Sequence, residues 1–369
     1  MSAQNKHIAL FVPSLRGGGA EKITVTLANA FAKKGLKVDL LLAQAEGPYL
    51  NDVLPGVRVV DFKAARVLKS IPKLVRYLSA EKPDCLLSAL NHANLSAIVA
   101  SLVAGRSCKV IVAEHNSVSG SKIASVRGWV VMNLIGRAYR FADAVIAVSH
   151  GVAEDLIRAG VPRSLVHTIY NPVVSEQLLE DSKKPCDHPW LNGDSRPTIL
   201  AVGRLEPQKD YATLIRAFGL LEPKHDARLL ILGEGSLRCE LQALIDNLGL
   251  AERVQLAGFV NNPYAYMGRA SVFAMSSRWE GLPTVLIEAL ACGAAVVSTD
   301  CPSGPSEILQ GGKWGSLVPC GDPKALASTL EQKLSRKELE GANALERVAE
   351  FSVVASVENY LDLLSSCGN

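Results

Sequence analysis

The chain has 369 residues, 48% apolar and 20% charged, with a formal net charge of +3. That length exceeds one ordinary core and suits two domains of about 170–190 residues each, while no apolar run approaches the ~20 residues of a membrane-spanning helix. Eight cysteines are scattered singly, with no CxxC pair and no His/Cys cluster at metal-ligand spacing, which argues against a structural zinc and for reduced thiols in the cytoplasm.

Residues 1–7 run directly into a first strand pattern, with no secretory leader expected. In the first half, strands are expected at 8–13, 37–43, 57–61, 85–88, 109–113 and 144–148, with helices at 21–34, 71–81 and 95–104. A second series of strands follows at 198–202, 228–232, 254–256, 272–275, 295–298 and 315–318. Short apolar strands alternating with longer amphipathic helices imply parallel sheets with crossover helices. The stretch 171–197 is polar and rich in Pro, Asp and Lys, so the linker is expected there. The domains are then 1–172 and 173–350, with 351–369 a C-terminal helix packing back toward the first domain.

Charge divides unevenly along the chain. Residues 1–172 hold 21 Lys and Arg against 11 Asp and Glu, and residues 173–369 hold 18 against 25. A basic half suggests an anionic partner. With no recognition-helix, RNP or zinc-finger pattern, a phospholipid surface or a lipid diphosphate fits better than nucleic acid. Two basic amphipathic stretches, 63–76 and 122–141, interleave Lys and Arg with large apolar residues, as interfacial helices do. An ordinary helix with its apolar side in the core would look the same.

In open α/β sheets ligands bind beyond the carboxyl ends of strands, near helix N-termini, and the informative residues lie there. Arg16-Gly17-Gly18-Gly19-Ala20-Glu21 follows the first strand. Glycines allow positive φ and close backbone approach, so their N–H groups can meet a phosphate or hydroxyl. This is not a G-x-G-x-x-G fingerprint, because Lys22 stands where the third glycine would be. His115 ends another strand. In the second half, Ser277-Arg278-Trp279-Glu280-Gly281-Leu282-Pro283-Thr284-Val285-Leu286-Ile287-Glu288 places two glutamates eight apart across a loop-to-helix transition. Thr284 could open the helix, with N–H groups of Gly281, Leu282 and Thr284 turned to an anion. Glu288, about one turn in, could accept both hydroxyls of a ribose, and Glu280 could reach hydroxyls of a sugar. Read singly, Glu288 would be a helix-dipole partner and Glu280 a surface charge.

The whole string resembles the E-x7-E motif of family 4 glycosyltransferases, retaining enzymes of the GT-B fold, and other family features follow in order along essentially the full chain. The resemblance implies two facing Rossmann-like, doubly wound domains with an interdomain cleft. Gly203-Arg204-Leu205-Glu206-Pro207-Gln208-Lys209-Asp210 is similar to the family's GR…K segment, which makes Arg204 and Lys209 the cations that clamp the donor diphosphate. Gly258-Phe259-Val260 looks like the loop that contacts the base, Gly233-Glu234-Gly235 like the turn that lets the donor approach, and Gly17, Gly18 and Gly19 like the loop near the transferred sugar and acceptor. His115 matches the histidine beside that sugar, so His115 and Glu280 are the candidates at the reacting centre. Glu-Gly-Leu-Pro-Thr, with Ser303-Gly304-Pro305-Ser306-Glu307-Ile308 after it, resembles bacterial transferases that build lipid-linked glycans, surface polysaccharides and lipopolysaccharide.

These features imply a retaining transferase moving a hexose or HexNAc from a nucleotide diphosphate donor, UDP foremost, to a lipid-linked or polysaccharide acceptor. No D-x-D occurs, so neither metal nor cofactor is expected, and a cytoplasmic protein held peripherally at the inner membrane face fits the charge. Rivals are a UDP-sugar epimerase of similar layout, a non-catalytic nucleotide-sugar-binding protein, and an NAD-dependent dehydrogenase with Asp39 as its ribose acid.

Overall fold

A strand covered on both faces needs apolar residues at every position, not at alternate ones. Ile8, Ala9, Leu10, Phe11 and Val12 are accordingly all buried, as are Leu229, Leu230, Ile231 and Leu232. A computed structural model describes residues 6–115, 135–193, 195–335 and 344–366. The chain divides into two units, Met1–Pro172 with Ser352–Asn369, and Val173–Phe351.

The first unit is built on seven parallel strands: β1 (His7–Val12), β2 (Lys37–Leu42), β3 (Val57–Asp61), β4 (Cys85–Ala89), β5 (Lys109–Glu114), β6 (Ala144–Ala147) and β7 (Val166–Thr168). Their order is β3-β2-β1-β4-β5-β6-β7. The return from β3 to β4 beside β1 makes a topological switch point, with helices α1 (Gly19–Lys33), α2 (Ile71–Glu81), α3 (Asn91–Val103) and α4 (His150–Arg158) as crossovers. The half-buried edge strand β7 was not expected, being only three residues long. Helix α3 begins at Asn91, four residues before its expected start. Asn94, which looks like a loop residue, turns its amide nitrogen inward: Nδ2 donates to the Ala113 carbonyl and to Tyr139 Oη, each at 2.9 Å.

The second unit has six parallel strands: β8 (Thr198–Val202), β9 (Arg228–Leu232), β10 (Val254–Gly258), β11 (Val272–Met275), β12 (Val296–Thr299) and β13 (Ser316–Val318). Their order is β10-β9-β8-β11-β12-β13, again with a switch beside the unit's first strand. From Val173 onward the stretch 171–197 belongs to the second unit. It contains α5 (Glu176–Lys183), where Ser175 Oγ accepts the Leu178 N–H at 3.1 Å and Leu178 is buried. The cap and Leu178, with Asn262 Nδ2 donating to the Asp181 carbonyl at 2.9 Å and Arg228 stacked over the Trp190 ring at 4.8 Å, order a segment whose composition reads as loop.

The remaining helices of this unit are α6 (Tyr211–Gly219), α7 (Arg238–Asn247), α8 (Tyr264–Met267), α9 (Thr284–Ala291), α10 (Pro305–Ile308), α11 (Pro323–Ser335) and α12 (Leu345–Ala349). The last helix, α13 (Val353–Ser366), belongs to the first unit and packs on α1, with the Tyr360 ring set edge-on to Phe31 at 6.2 Å. Ser356 Oγ donates to the Tyr170 carbonyl at 2.8 Å.

Candidate functional site

In the second unit the ends of β8, β9 and β10 are glycines: Gly203, Gly233 and Gly258. They are tied in series, Gly203 N–H to the Leu232 carbonyl at 2.9 Å and Gly233 N–H to the Gly258 carbonyl at 2.7 Å. Gly233 has φ +141°, and a Cβ there would lie 2.0 Å from the Gly203 carbonyl oxygen. Only glycine at 233 lets the ends of β8 and β9 approach so closely. Beyond them Phe259 is 76% exposed and Val260 half-buried.

The turn after β8 carries the cations. Arg204 is exposed and, among the described residues, its guanidinium meets no hydrogen-bonding or ion-pair partner. Lys209 sits deeper, its Nζ 2.6 Å from Glu280 Oε1, with both side chains largely out of water. The residues on either side of Lys209 grip the same loop. Gln208 Nε2 donates to Glu280 Oε2 at 3.2 Å and to the Trp279 carbonyl at 2.8 Å, and its own carbonyl accepts the Arg278 N–H at 2.9 Å. The Lys209 carbonyl accepts Ser276 Oγ at 2.8 Å. Asp210, held at φ +45° at the start of α6, accepts Arg278 Nε at 2.9 Å and Thr213 Oγ1 at 2.8 Å on one carboxylate oxygen. Three consecutive residues thus fasten the segment from Ser276 to Glu280, and both oxygens of Glu280 are held in a fixed direction. Gln208 and Asp210 fall within the segment 203–210 but have no expected role; their adjacency to Lys209 is the hint in the sequence.

Helix α9 begins at Thr284, as its sequence suggests. Gly281, Leu282 and Glu288 are buried, and Tyr264 Oη lies 3.4 Å from Glu288 Oε1. Gly304 meets the same loop closely, for a Cβ on it would fall 2.4 Å from Pro283 Cδ. Arg204, Lys209, Gly233, Phe259, Val260, Glu280, Gly281, Leu282, Thr284 and Glu288 therefore all follow the carboxyl ends of strands in one unit. The strongest direct contact among them is the Lys209–Glu280 pair.

In the first unit Gly17, Gly18 and Gly19 are exposed after β1. The expected anion-binding N–H groups of Gly17 and Gly18 are turned to Glu21 Oε2, at 2.9 and 2.5 Å. A carboxylate at a helix N-terminus meets the positive end of the dipole, and in this structure it takes those two donors. His115 follows β5 and lines a small cavity with Thr24, Leu27 and Tyr360. It is half-buried, and burial lowers its pKa to about 4. Its neighbour Glu114 is fully buried, 3.2 Å from Tyr139 Oη, and takes the Asn91 amide at 2.5 and 2.8 Å when that nitrogen faces it. The end of β5 is thus anchored from α3. Of the basic stretch 122–141, residues 122–134 lie outside the described residues.

Asp39 does not serve as a ribose acid. It is 1% exposed, with Arg58, His7 and Tyr77 on its oxygens at 2.5–2.8 Å. Burial pushes its pKa up, but those hydrogen bonds outweigh the penalty and hold the carboxyl below its usual range.

Residues 17–177 match the model of Glycosyltransferase Family 4, and residues 187–349 that of Glycosyl transferases group 1. Among characterised proteins, the chain is 32% identical over 376 residues to an N-acetylgalactosamine-N,N'-diacetylbacillosaminyl-diphospho-undecaprenol 4-alpha-N-acetylgalactosaminyltransferase of Campylobacter jejuni, covering 97% of this chain and 99% of that one. It is 27% identical to the lipopolysaccharide core biosynthesis glycosyltransferase LpsE of Rhizobium meliloti, over 95% and 97% of the two chains. Among solved structures, Anabaena HepE in complex with UDP and glucose superposes with a TM-score of 0.83 at 22% identity, covering 98% of this chain and all of that one.

Proposed function

Because the chain belongs to glycosyltransferase family 4, we propose that it transfers a hexose or HexNAc, with retention, from a UDP-sugar to a lipid-linked or polysaccharide acceptor. The observation that carries this reading is the buried Lys209–Glu280 pair fastened by Gln208 at the carboxyl edge of the second sheet. Supporting the donor is the UDP and glucose in the similar HepE structure. Supporting the sugar and acceptor is the Campylobacter relative, which by its name moves N-acetylgalactosamine onto a diphospho-undecaprenol glycan.

In the reaction, the acceptor hydroxyl oxygen bonds to the anomeric carbon as the bond from that carbon to the donor phosphate breaks. The hydroxyl proton passes to the departing phosphate oxygen. Negative charge grows on the leaving diphosphate, and Arg204 and Lys209 are the cations that stabilise it. This role asks for no metal ion. Glu280 receives sugar hydroxyls, Glu288 receives the ribose hydroxyls, Phe259 and Val260 flank the base, and the N–H groups of Gly281, Leu282 and Thr284 face the phosphates. On the acceptor side, His115 is neutral near pH 7, so it can hydrogen-bond a sugar hydroxyl without adding charge. For Gly17–Gly19 to present their N–H groups to a ligand, Glu21 must release them. The protein works at the inner membrane face, in peripheral contact with anionic lipid.

The test is ligand-observed NMR against UDP-glucose, UDP-galactose, UDP-GlcNAc, UDP-GalNAc, GDP-mannose and NAD, repeated with Lys209→Ala. Selective binding of one UDP-sugar that the variant loses is the expected result. Binding of NAD alone, or of nothing, overturns the reading.

A further inference from the structure

Helix α3 is inverted relative to an ordinary surface helix. Its thirteen residues include no Asp, Glu, Lys or Arg. Its buried side is small or polar: Ala93, Asn94, Ser96, Ala97, Ala100 and Ser101, with Ile98 the one large aliphatic. The larger aliphatics face outward, Val99 44%, Leu102 42% and Val103 67% exposed, with Leu95 half-buried on the same stripe. Positions 95, 99, 102 and 103 share a face at helical spacing. A surface helix normally puts its apolar stripe inward, and single exposed aliphatics are common, but a charge-free row of them marks a contact surface.

What covers it follows from the flanking charge. The turn before α2 (Val67–Ser70) and α2 itself both pack along α3. They carry exposed Lys69, Lys73 and Arg76 with exposed Leu68 among them, the segment just before the turn adds exposed Lys63 and Arg66, and no acid occurs from residue 62 to 80. A second copy of the chain would set this positive field against itself. A bilayer bearing anionic headgroups offers both an apolar layer for the stripe and counter-charge for its margin. We infer that the outer face of α3 (Leu95, Val99, Leu102, Val103), together with Leu68 and the basic residues of the preceding turn and α2, is the surface by which the first unit docks on an anionic lipid bilayer. The inference deepens the peripheral-membrane part of the proposed function by naming the face, and it rests on that reading only for the expectation of a lipid-borne acceptor. It relocates the contact from a basic amphipathic helix alone to an uncharged neighbour that the basic elements frame.

The test is flotation of the full-length protein with vesicles of phosphatidylcholine mixed with phosphatidylglycerol, and with phosphatidylcholine alone. Wild type should float with the anionic vesicles at low salt and less with the neutral ones. Leu102→Asp/Val103→Asp should weaken partitioning about tenfold or more. Arg66→Glu/Lys69→Glu should weaken it about 25-fold or more, at about fivefold per charge lost. All four positions are exposed, so melting temperature and UDP-sugar binding should stay as in wild type. Leu102→Ser/Val103→Ser is the milder pair should the aspartates perturb the fold. Wild-type-like flotation of the α3 variants would place any membrane contact elsewhere and overturn the inference. So would a wild type that ignores vesicles but forms a dimer broken by Leu102→Asp/Val103→Asp, which would make the face a self-association surface. Donor binding is read separately, so a failed donor assay with intact flotation would sink the functional reading alone.

Discussion

At the residue scale, the side chains that matter are held by neighbours with no chemistry of their own. Gln208 is the clearest case, because its amide touches Glu280 Oε2 while Lys209 takes Oε1. A hydrogen bond to a charged group is worth about 1.5–3 kcal/mol, or roughly tenfold to a hundredfold. Gln208→Ala is therefore expected to lower the melting temperature by about 3–10 °C and, by releasing Glu280 from its fixed direction, to lower kcat about tenfold or more. Gln208→Glu, which sets like charge against Glu280, should be worse; steady-state kinetics with a calorimetric melt would separate the two. An unaltered kcat in Gln208→Ala would show that the loop holds Glu280 without it. His115 gives a second test. Its folded pKa lies near 4, below the ordinary 6.5, so the unfolded chain takes up a proton first as pH falls. The contribution of the neutral ring to stability is complete above about pH 6.5 and is lost progressively down to about pH 4. NMR titration of the ring should find a midpoint near 4; one near 6.5 would mean the ring is solvated.

At the element scale, the second sheet ends in a row of glycines whose middle member, Gly233, has no room for a methyl group against the Gly203 backbone. Gly233→Ala combines a positive φ with a 2.0 Å approach to the Gly203 carbonyl. Strain of this kind costs roughly 2–3 kcal/mol, a fall of about 5–10 °C in the melting temperature of a unit this size. Relief by backbone movement would separate the ends of β8 and β9, so weakened UDP-sugar binding should accompany the fall. A variant as stable and as tightly binding as wild type would refute the close-packing account. The ends of β1 and β5 are organised differently, through Glu21 on the glycine N–H groups and through Asn91 and Asn94 beneath Glu114 and Ala113.

At the scale of the whole molecule, the two units differ in how the chain composes them. The second is one continuous segment, Val173–Phe351, while the first needs the tail Ser352–Asn369 as well. That tail buries Val357, Tyr360, Leu363 and Leu364 against the core that includes Phe31. At about 1.5–3 kcal/mol for each large side chain, its loss rivals the 5–15 kcal/mol that holds a domain together. Deleting residues 352–369 should therefore unfold the first unit, read by loss of its protease resistance. A fragment of residues 173–351 should fold alone and bind the same UDP-sugar as the full chain. A truncated protein whose first unit still resists protease would show α13 to be an accessory.

Much of the strand pattern and both strand series were legible along the chain, because a strand buried on both faces announces itself as an unbroken apolar run. The glutamate pair and Lys209 were legible too, since their residue types follow strands in an order that a family shares. Three things were not. The polar stretch after Asn171 reads as linker by composition, yet it carries a capped helix and is tied to the second unit through Asn262, Gln255 and Arg228, residues from the middle of that unit's sequence. The partners of Lys209 and Glu280 lie about seventy residues apart in sequence, so Gln208 and Asp210 acquire meaning only when β8 and β11 pair. The outward-facing aliphatics of α3 could not be told from core residues, because periodicity defines a helix face but says nothing of which side is covered. Local physical chemistry decided the elements; which faces and ends meet was decided only by the packing of distant segments.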